Sequence, residues 1–245
     1  MNLLWLAEGA GASGVTTGEQ QKVLFHLFGL QVTSVVTTEW AIMALVILFF
    51  FVATRRLDRV PKSKLQLLVE SAVESLYGFV KGQMGEERAR EFVPLIGSFF
   101  IFILVSNYSG LIPGAGHVTG FAAPTSHWSV TLGLALVVFA ATQYYGIKKQ
   151  GFDYIKHMFQ PYIIAPLIFV MNVLDHIVRP MSLSLRLYAN IFGGETVVVA
   201  LLVAIPYFLP ITTLLLELIF GFIQAFIFTA LTTVYLTEAT GAEEE

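Results

Sequence analysis

The chain has 245 residues, 56% hydrophobic and only 13% charged, with a net charge of −3 and a mean hydropathy of +0.74. Soluble domains carry roughly 25% charged residues, so this little charge cannot coat a soluble globule of such length, and the small net charge without a long basic run argues against nucleic acid. The absence of cysteine excludes disulfides, thiolate metal sites and iron–sulfur clusters.

Met1–Leu6 lacks the basic start of a secretory signal. Gly9, Gly11 and Gly14 spell G-x-G-x-x-G, but no strand pattern precedes them and no βαβ unit follows, so they read as a flexible leader. That outer leader covers 1–34 and holds one short apolar patch, Val23–Leu30. A first transmembrane helix is expected over 37–54, with Trp40 as an interface anchor and Glu39 at headgroup level. A polar stretch broken by Pro61 follows. Over 65–84 apolar residues recur at helical spacing (Leu65, Leu68, Val69, Ala72, Val73, Leu76), the pattern of an amphipathic helix lying on the membrane or on other helices.

Further transmembrane helices are expected over 91–112 and 127–147, joined by a turn-rich loop that opens at Pro113-Gly114. Phe92 to Ile147 contains no Asp, Glu, Lys or Arg, and a bilayer core needs about 20 apolar residues per helix. Lipid offers no water to the backbone, so such segments are helices. The alternation of a membrane β-barrel is missing.

Beyond residue 160 the apolar runs continue with isolated polar residues inside them. The pattern predicts two long helices, 161–206 and 210–239, forming a C-terminal hairpin that turns between Pro206 and Pro210. The first arm would rise about 68 Å if straight, so it tilts strongly, breaks or lies partly in the membrane plane. The expected fold is an all-α integral membrane protein, one membrane domain over 1–245, without an internal repeat or separate soluble domain.

Eight basic residues lie between the first two spans (Arg55, Arg56, Arg59, Lys62, Lys64, Lys81, Arg88, Arg90) and three between the third span and the hairpin. The loop 113–126 and the turn 206–210 have none. The positive-inside rule then places the N-terminus outside and the C-terminus in the cytoplasm.

Arg186, within Met181–Gly194, is the most informative residue. A basic side chain at mid-membrane costs about 2.5–3.5 kcal/mol on insertion scales, and guanidinium does not escape by losing its proton. Two readings are open: a cation that joins helices or snorkels to the interface, and a cation kept to meet something outside the chain. Glu195 and Glu217, one on each arm, are either acids hydrogen-bonded between helices or groups that load and release protons. Glu217 and Gln224 are seven residues apart and share a helix face, as do Arg186 and Asn190. Arg186 and Glu195 are nine apart, about 180° round a helix, which argues against an ion pair between them. Asp175 and Arg179, at i and i+4, either neutralise each other or serve a cytoplasmic water pathway. His176 reads as an interfacial histidine. The remaining histidines are scattered without metal-ligand spacing, and neither a P-loop nor G-x-S-x-G occurs. Asn107-Tyr108-Ser109 matches a glycosylation sequon, but its place at the end of a span discounts that reading.

The stretch Ser182-Leu183-Ser184-Leu185-Arg186-Leu187-Tyr188-Ala189-Asn190, followed by Gly193-Gly194-Glu195, resembles the arginine-bearing motif of the F-type ATP synthase subunit a family. Ile223–Phe228 through Val234-Tyr235-Leu236 is similar to that family's last helix, and Ser106–Pro113 also fits. The likeness covers roughly 90–240. It implies an ion-translocating stator subunit of a rotary ATP synthase, not catalytic by itself and needing no cofactor. Its implied partners are a ring of c subunits, b-type peripheral stalk subunits, the rest of the complex and the lipid bilayer, in a bacterial plasma membrane. By the same resemblance Arg186 faces the rotor carboxylates. Glu195, Glu217, Asn190 and Gln224 line the outer half-channel, and Ser182 and Asp175 lie towards the cytoplasmic one, for protons or sodium. Gly110 departs from an aspartate common in the family, and Glu217 from a histidine of some relatives. A secondary transporter and a non-conducting membrane scaffold are the competing readings. The first is disfavoured by the missing repeat, the second by Arg186, Glu195 and Glu217 in the apolar layer.

Overall fold

The structure, a computed structural model, describes residues 23–27, 30–54, 64–111, 123–151, 165–204 and 209–241. Most of the leader, the basic stretch after the first span, most of the loop 113–126 and the hairpin turn lie outside the described residues, as do His117 and His157. The chain is helical, as its apolar runs demand, and three described helices are long and apolar enough to cross a membrane: Gln66–Ser109, Trp128–Gln150 and Thr212–Thr240. A shorter apolar stretch covers Val36–Val52. One feature is additional to the sequence reading. The apolar patch of the leader forms an antiparallel strand pair, β1 (Val23–Leu27) with β2 (Leu30–Thr33), irregular between Val23 and Phe25.

Helix α1 (Ser34–Thr54) follows β2 directly. Its Val, Ile and Phe residues are mediocre helix formers in water, but in lipid the backbone has no other way to satisfy its polar groups. Leu45, Ile47, Leu48, Phe51 and Val52 are exposed, as expected of a helix clothed by acyl chains. Helix α2 (Lys64–Ser109) joins the amphipathic segment to the next span. Its backbone breaks at Gly85 (φ 80, ψ 171), a conformation that only glycine adopts without strain. Just beyond the break, Glu86 accepts from Lys81 (2.9 Å) and Arg90 (2.8 Å).

A 3₁₀ turn (Pro124–Ser126) leads into α3 (Trp128–Gln150). Gly151, at φ 60, ends α3 by donating its N–H to Ile147 O at 2.9 Å. Lys149 reaches Glu91 of α2 at 2.6 Å. Helices α4 (Ala165–Ala204) and α5 (Leu209–Thr240) pack antiparallel, since Arg179 meets Glu238 and Gly194 meets Glu217.

The core gathers Phe99 and Ile103 of α2, Ala135 and Val138 of α3, Leu183 and Leu187 of α4, and Ala225 and Phe228 of α5. A second cluster joins Val80, Phe92 and Ile96 to Leu236 of α5. Between apolar helices in lipid, the attraction comes from such close packing rather than from leaving water. Along α5 the buried threonines Thr229, Thr232, Thr233, Thr237 and Thr240 each donate to the carbonyl four residues back, at 2.7–2.9 Å. Between α3 and α4, the Thr131 and Ser184 hydroxyls meet at 3.2 Å.

Candidate functional site

The buried positions of α4 decide where Arg186 points. Leu183, Ser184, Leu187 and Ile191 face the other helices. At 100° per residue, Leu185, Arg186 and Ala189 must turn outward, and all three are exposed. Val178, Met181, Ser182, Leu185 and Arg186 line an open depression of about 520 Å³ on that surface. Its walls are apolar apart from the Ser182 hydroxyl and the guanidinium. Among the described residues Arg186 makes no hydrogen bond or ion pair.

A polar cluster occupies the inward side of the other half of α4. Glu195 comes within reach of the Ser126 hydroxyl and close enough to Glu217 for their charges to interact. A Cβ placed on Gly194 would lie 3.1 Å from Glu217 Oε1, so the carboxyl of α5 rests against the α4 backbone there. Gly110 borders the same space. A Cβ on it would lie 3.0 Å from the Ala123 Cβ and 3.5 Å from Glu195 Oε1. The volume an aspartate at 110 would enter is therefore bounded by Ala123 and the Glu195 carboxyl.

Asn107 ties this cluster to the frame. Its amide donates to Gly221 O (3.0 Å), and its carbonyl accepts from Thr125 Oγ1 (2.9 Å). One buried side chain thus joins α2, α5 and the 3₁₀ turn. Three further polar atoms of this region, Ser106 Oγ, Asn190 Nδ2 and Gln224 Nε2, are buried without a hydrogen-bond partner among the described residues. An orphaned buried polar group costs about 1–3 kcal/mol, and a bridging water is the usual remedy.

At the opposite end of α4, one sequence expectation changes. Arg179 does not take Asp175 as its direct partner. It reaches across to α5 and binds Glu238 with two hydrogen bonds, at 2.6 and 2.8 Å, while its guanidinium lies 5.3 Å from the Tyr235 ring centre. A planar guanidinium matches both oxygens of a carboxylate on a facing helix. Asp175 remains exposed but near enough to add its field. His176 donates Nδ1–H to Asn172 O of its own helix at 2.7 Å and packs edge-on to Phe139.

The structure therefore brings Glu195, Glu217 and Ser126 together and sets Arg186 and Ser182 on a separate, outward surface. Sequence reasoning had not named Ser126, Thr125 or Glu238. Hydroxyls are too common to signal a site, and Glu238 sits at the end of an apolar helix like any terminal charge.

A family model described as ATP synthase A chain matches residues 36–237. The chain belongs to the ATP synthase subunit a family. It is 41% identical to ATP synthase subunit a of Moorella thermoacetica over 214 residues, which cover 87% of this chain and 93% of the relative. Identity to the subunit a of Trichlorobacter lovleyi is 39% over 214 residues (87% and 89%), and to that of Aliarcobacter butzleri 41% over 216 residues (84% and 92%). Membership in the subunit a family ties this membrane protein to the membrane sector of ATP synthase. The matched region contains both the outward Arg186 and the Glu195–Glu217 cluster.

Proposed function

We propose that this chain is the ion-translocating stator of a rotary ATP synthase, passing protons or sodium through two half-channels to and from the carboxylates of a c-subunit ring. The observation that carries the reading is Arg186: a permanent cation in an apolar, outward depression, without an ion pair among the described residues. Such a charge is costly in lipid and is compensated when a rotor carboxylate passes in front of it.

In this reading the outer half-channel runs through Glu195, Glu217, Asn190 and Gln224. Water in it would satisfy the orphaned amides of Asn190 and Gln224 and the Ser106 hydroxyl. The cytoplasmic half-channel opens by Ser182 and Asp175. An ion entering from outside neutralises a rotor carboxylate, which can then turn into the lipid. On completing its circuit the carboxylate releases the ion inward. Arg186⁺ favours the ionised carboxylate and repels ions that would pass straight between the channels. Each charge crossing 100 mV supplies about 2.3 kcal/mol, which gives rotation its direction.

The same reading places the N-terminus outside and the C-terminus in the cytoplasm of a bacterial plasma membrane, by the positive-inside rule. The subunit conducts and does not catalyse, and it sits beside b-type stalk subunits. The 40-residue α4 would rise about 60 Å if straight, so it lies tilted. Arg186→Ala tests the proposal in the intact enzyme: the complex should assemble with its ATPase head, while voltage-driven ATP synthesis in membrane vesicles falls to background. Undiminished coupled synthesis would remove Arg186 from the stator role.

A further inference from the structure

Arg179 and Arg186 are seven residues apart on α4, so they share one side of the helix within about 20°. Val178, Ser182 and Leu185, from the stretch between and beside them, line the same depression as Arg186, and Arg179 adjoins its Val178 end. A rotor carboxylate moving over this surface would therefore meet two arginines roughly two helical turns apart. The structure treats them differently. Arg186 stands without an ion pair among the described residues. Arg179 is held from two sides: it donates from Nη1 and Nη2 to the two Glu238 oxygens, at 2.6 and 2.8 Å, and the Tyr235 ring centre lies 5.3 Å from the guanidinium carbon.

We propose that Glu238 is a positioning residue that occupies Arg179, leaving Arg186 as the one cation on this face, among the described residues, able to receive a rotor carboxylate. The inference rests on the stator reading of Arg186. Its physical basis is that guanidinium keeps its charge and can be silenced only by a paired anion. The pair is partly exposed, with side-chain exposures of 33% and 52%, and pairs of that kind contribute little to folding. A purely mechanical clamp would therefore be a weak one. Two hydrogen bonds on a planar fork still fix where the charge points.

The two roles separate experimentally, because insulation needs Glu238 only while Arg179 is present. In the assembled enzyme Glu238→Gln removes the arginine's bidentate partner and leaves only the field of exposed Asp175 on it, and voltage-driven synthesis should fall measurably below the wild-type rate. Glu238→Asp should recover part of the loss. The decisive variant is Arg179→Gln combined with Glu238→Gln, which lacks both the bridge and the competing cation. Recovery of synthesis to near the wild-type rate supports insulation, and so does near-normal synthesis by Arg179→Gln alone, a variant that also serves if Glu238→Gln fails to assemble. A double variant as impaired as Glu238→Gln means that the bridge matters as a clamp, and wild-type synthesis by Glu238→Gln means that it does not matter; either overturns the proposal. Arg186→Ala, measured alongside, tells the two ideas apart. Loss of synthesis there with a silent Glu238→Gln removes only insulation, whereas retained synthesis there removes the stator reading and this inference with it.

Discussion

Asn107 shows how one side chain can set a polar site inside an apolar bundle. Its amide serves Gly221 and Thr125 together, at 3.0 and 2.9 Å, and it is only 3% exposed. Leucine there has a similar volume but no polar atoms, so Asn107→Leu should strand the Thr125 hydroxyl and cost about 1–3 kcal/mol. Thermal melting of the purified complex should register the loss as a lower transition temperature for this subunit. Gly194 makes a sharper demand. Alanine would put a methyl group 3.1 Å from Glu217 Oε1, so the carboxyl must move. Gly194→Ala should therefore slow ion-coupled synthesis in vesicles while assembly, judged by subunit content, stays intact. At this scale the sequence was informative wherever charge sits in an apolar run. Arg186, Glu195 and Glu217 stand out because lipid penalises them. It was silent on partners. That Arg179 pairs with a residue 59 positions away, rather than with Asp175 one turn back, depends on how two helices are laid together.

Helix α2 carries the clearest lesson among the elements. Its composition changes character near residue 85, amphipathic before and apolar after, which is why the pattern reads as two helices. The structure has two helical segments within Lys64–Ser109 that meet at a break at Gly85. With φ 80 and ψ 171 that glycine lies where side chains are excluded, and forcing another residue there costs about 1–3 kcal/mol. Gly85→Ala should lower the yield of assembled complex or its melting temperature, whereas alanine at the exposed, ordinary helical Gly82 should not. The strand pair before α1 was not legible, because Val23–Leu30 is too short for its periodicity to separate strand from helix.

Across the whole molecule, helix count and membrane character follow from the length of the apolar runs, which lipid turns into helices. The arrangement of those helices does not follow, because residues facing lipid and residues facing protein are equally apolar. Leu215, Ile219, Phe222 and Ile223 of α5 are exposed, while Ala225 and Phe228 on the same helix are buried, and nothing in their chemistry distinguishes the two sets. The buried threonines of α5 add a consequence for that arrangement. Each donates its hydroxyl to its own backbone, which satisfies the group inside the helix. Helix α5 can therefore carry five buried hydroxyls through an apolar bundle without calling on water or a neighbouring helix to accept their protons.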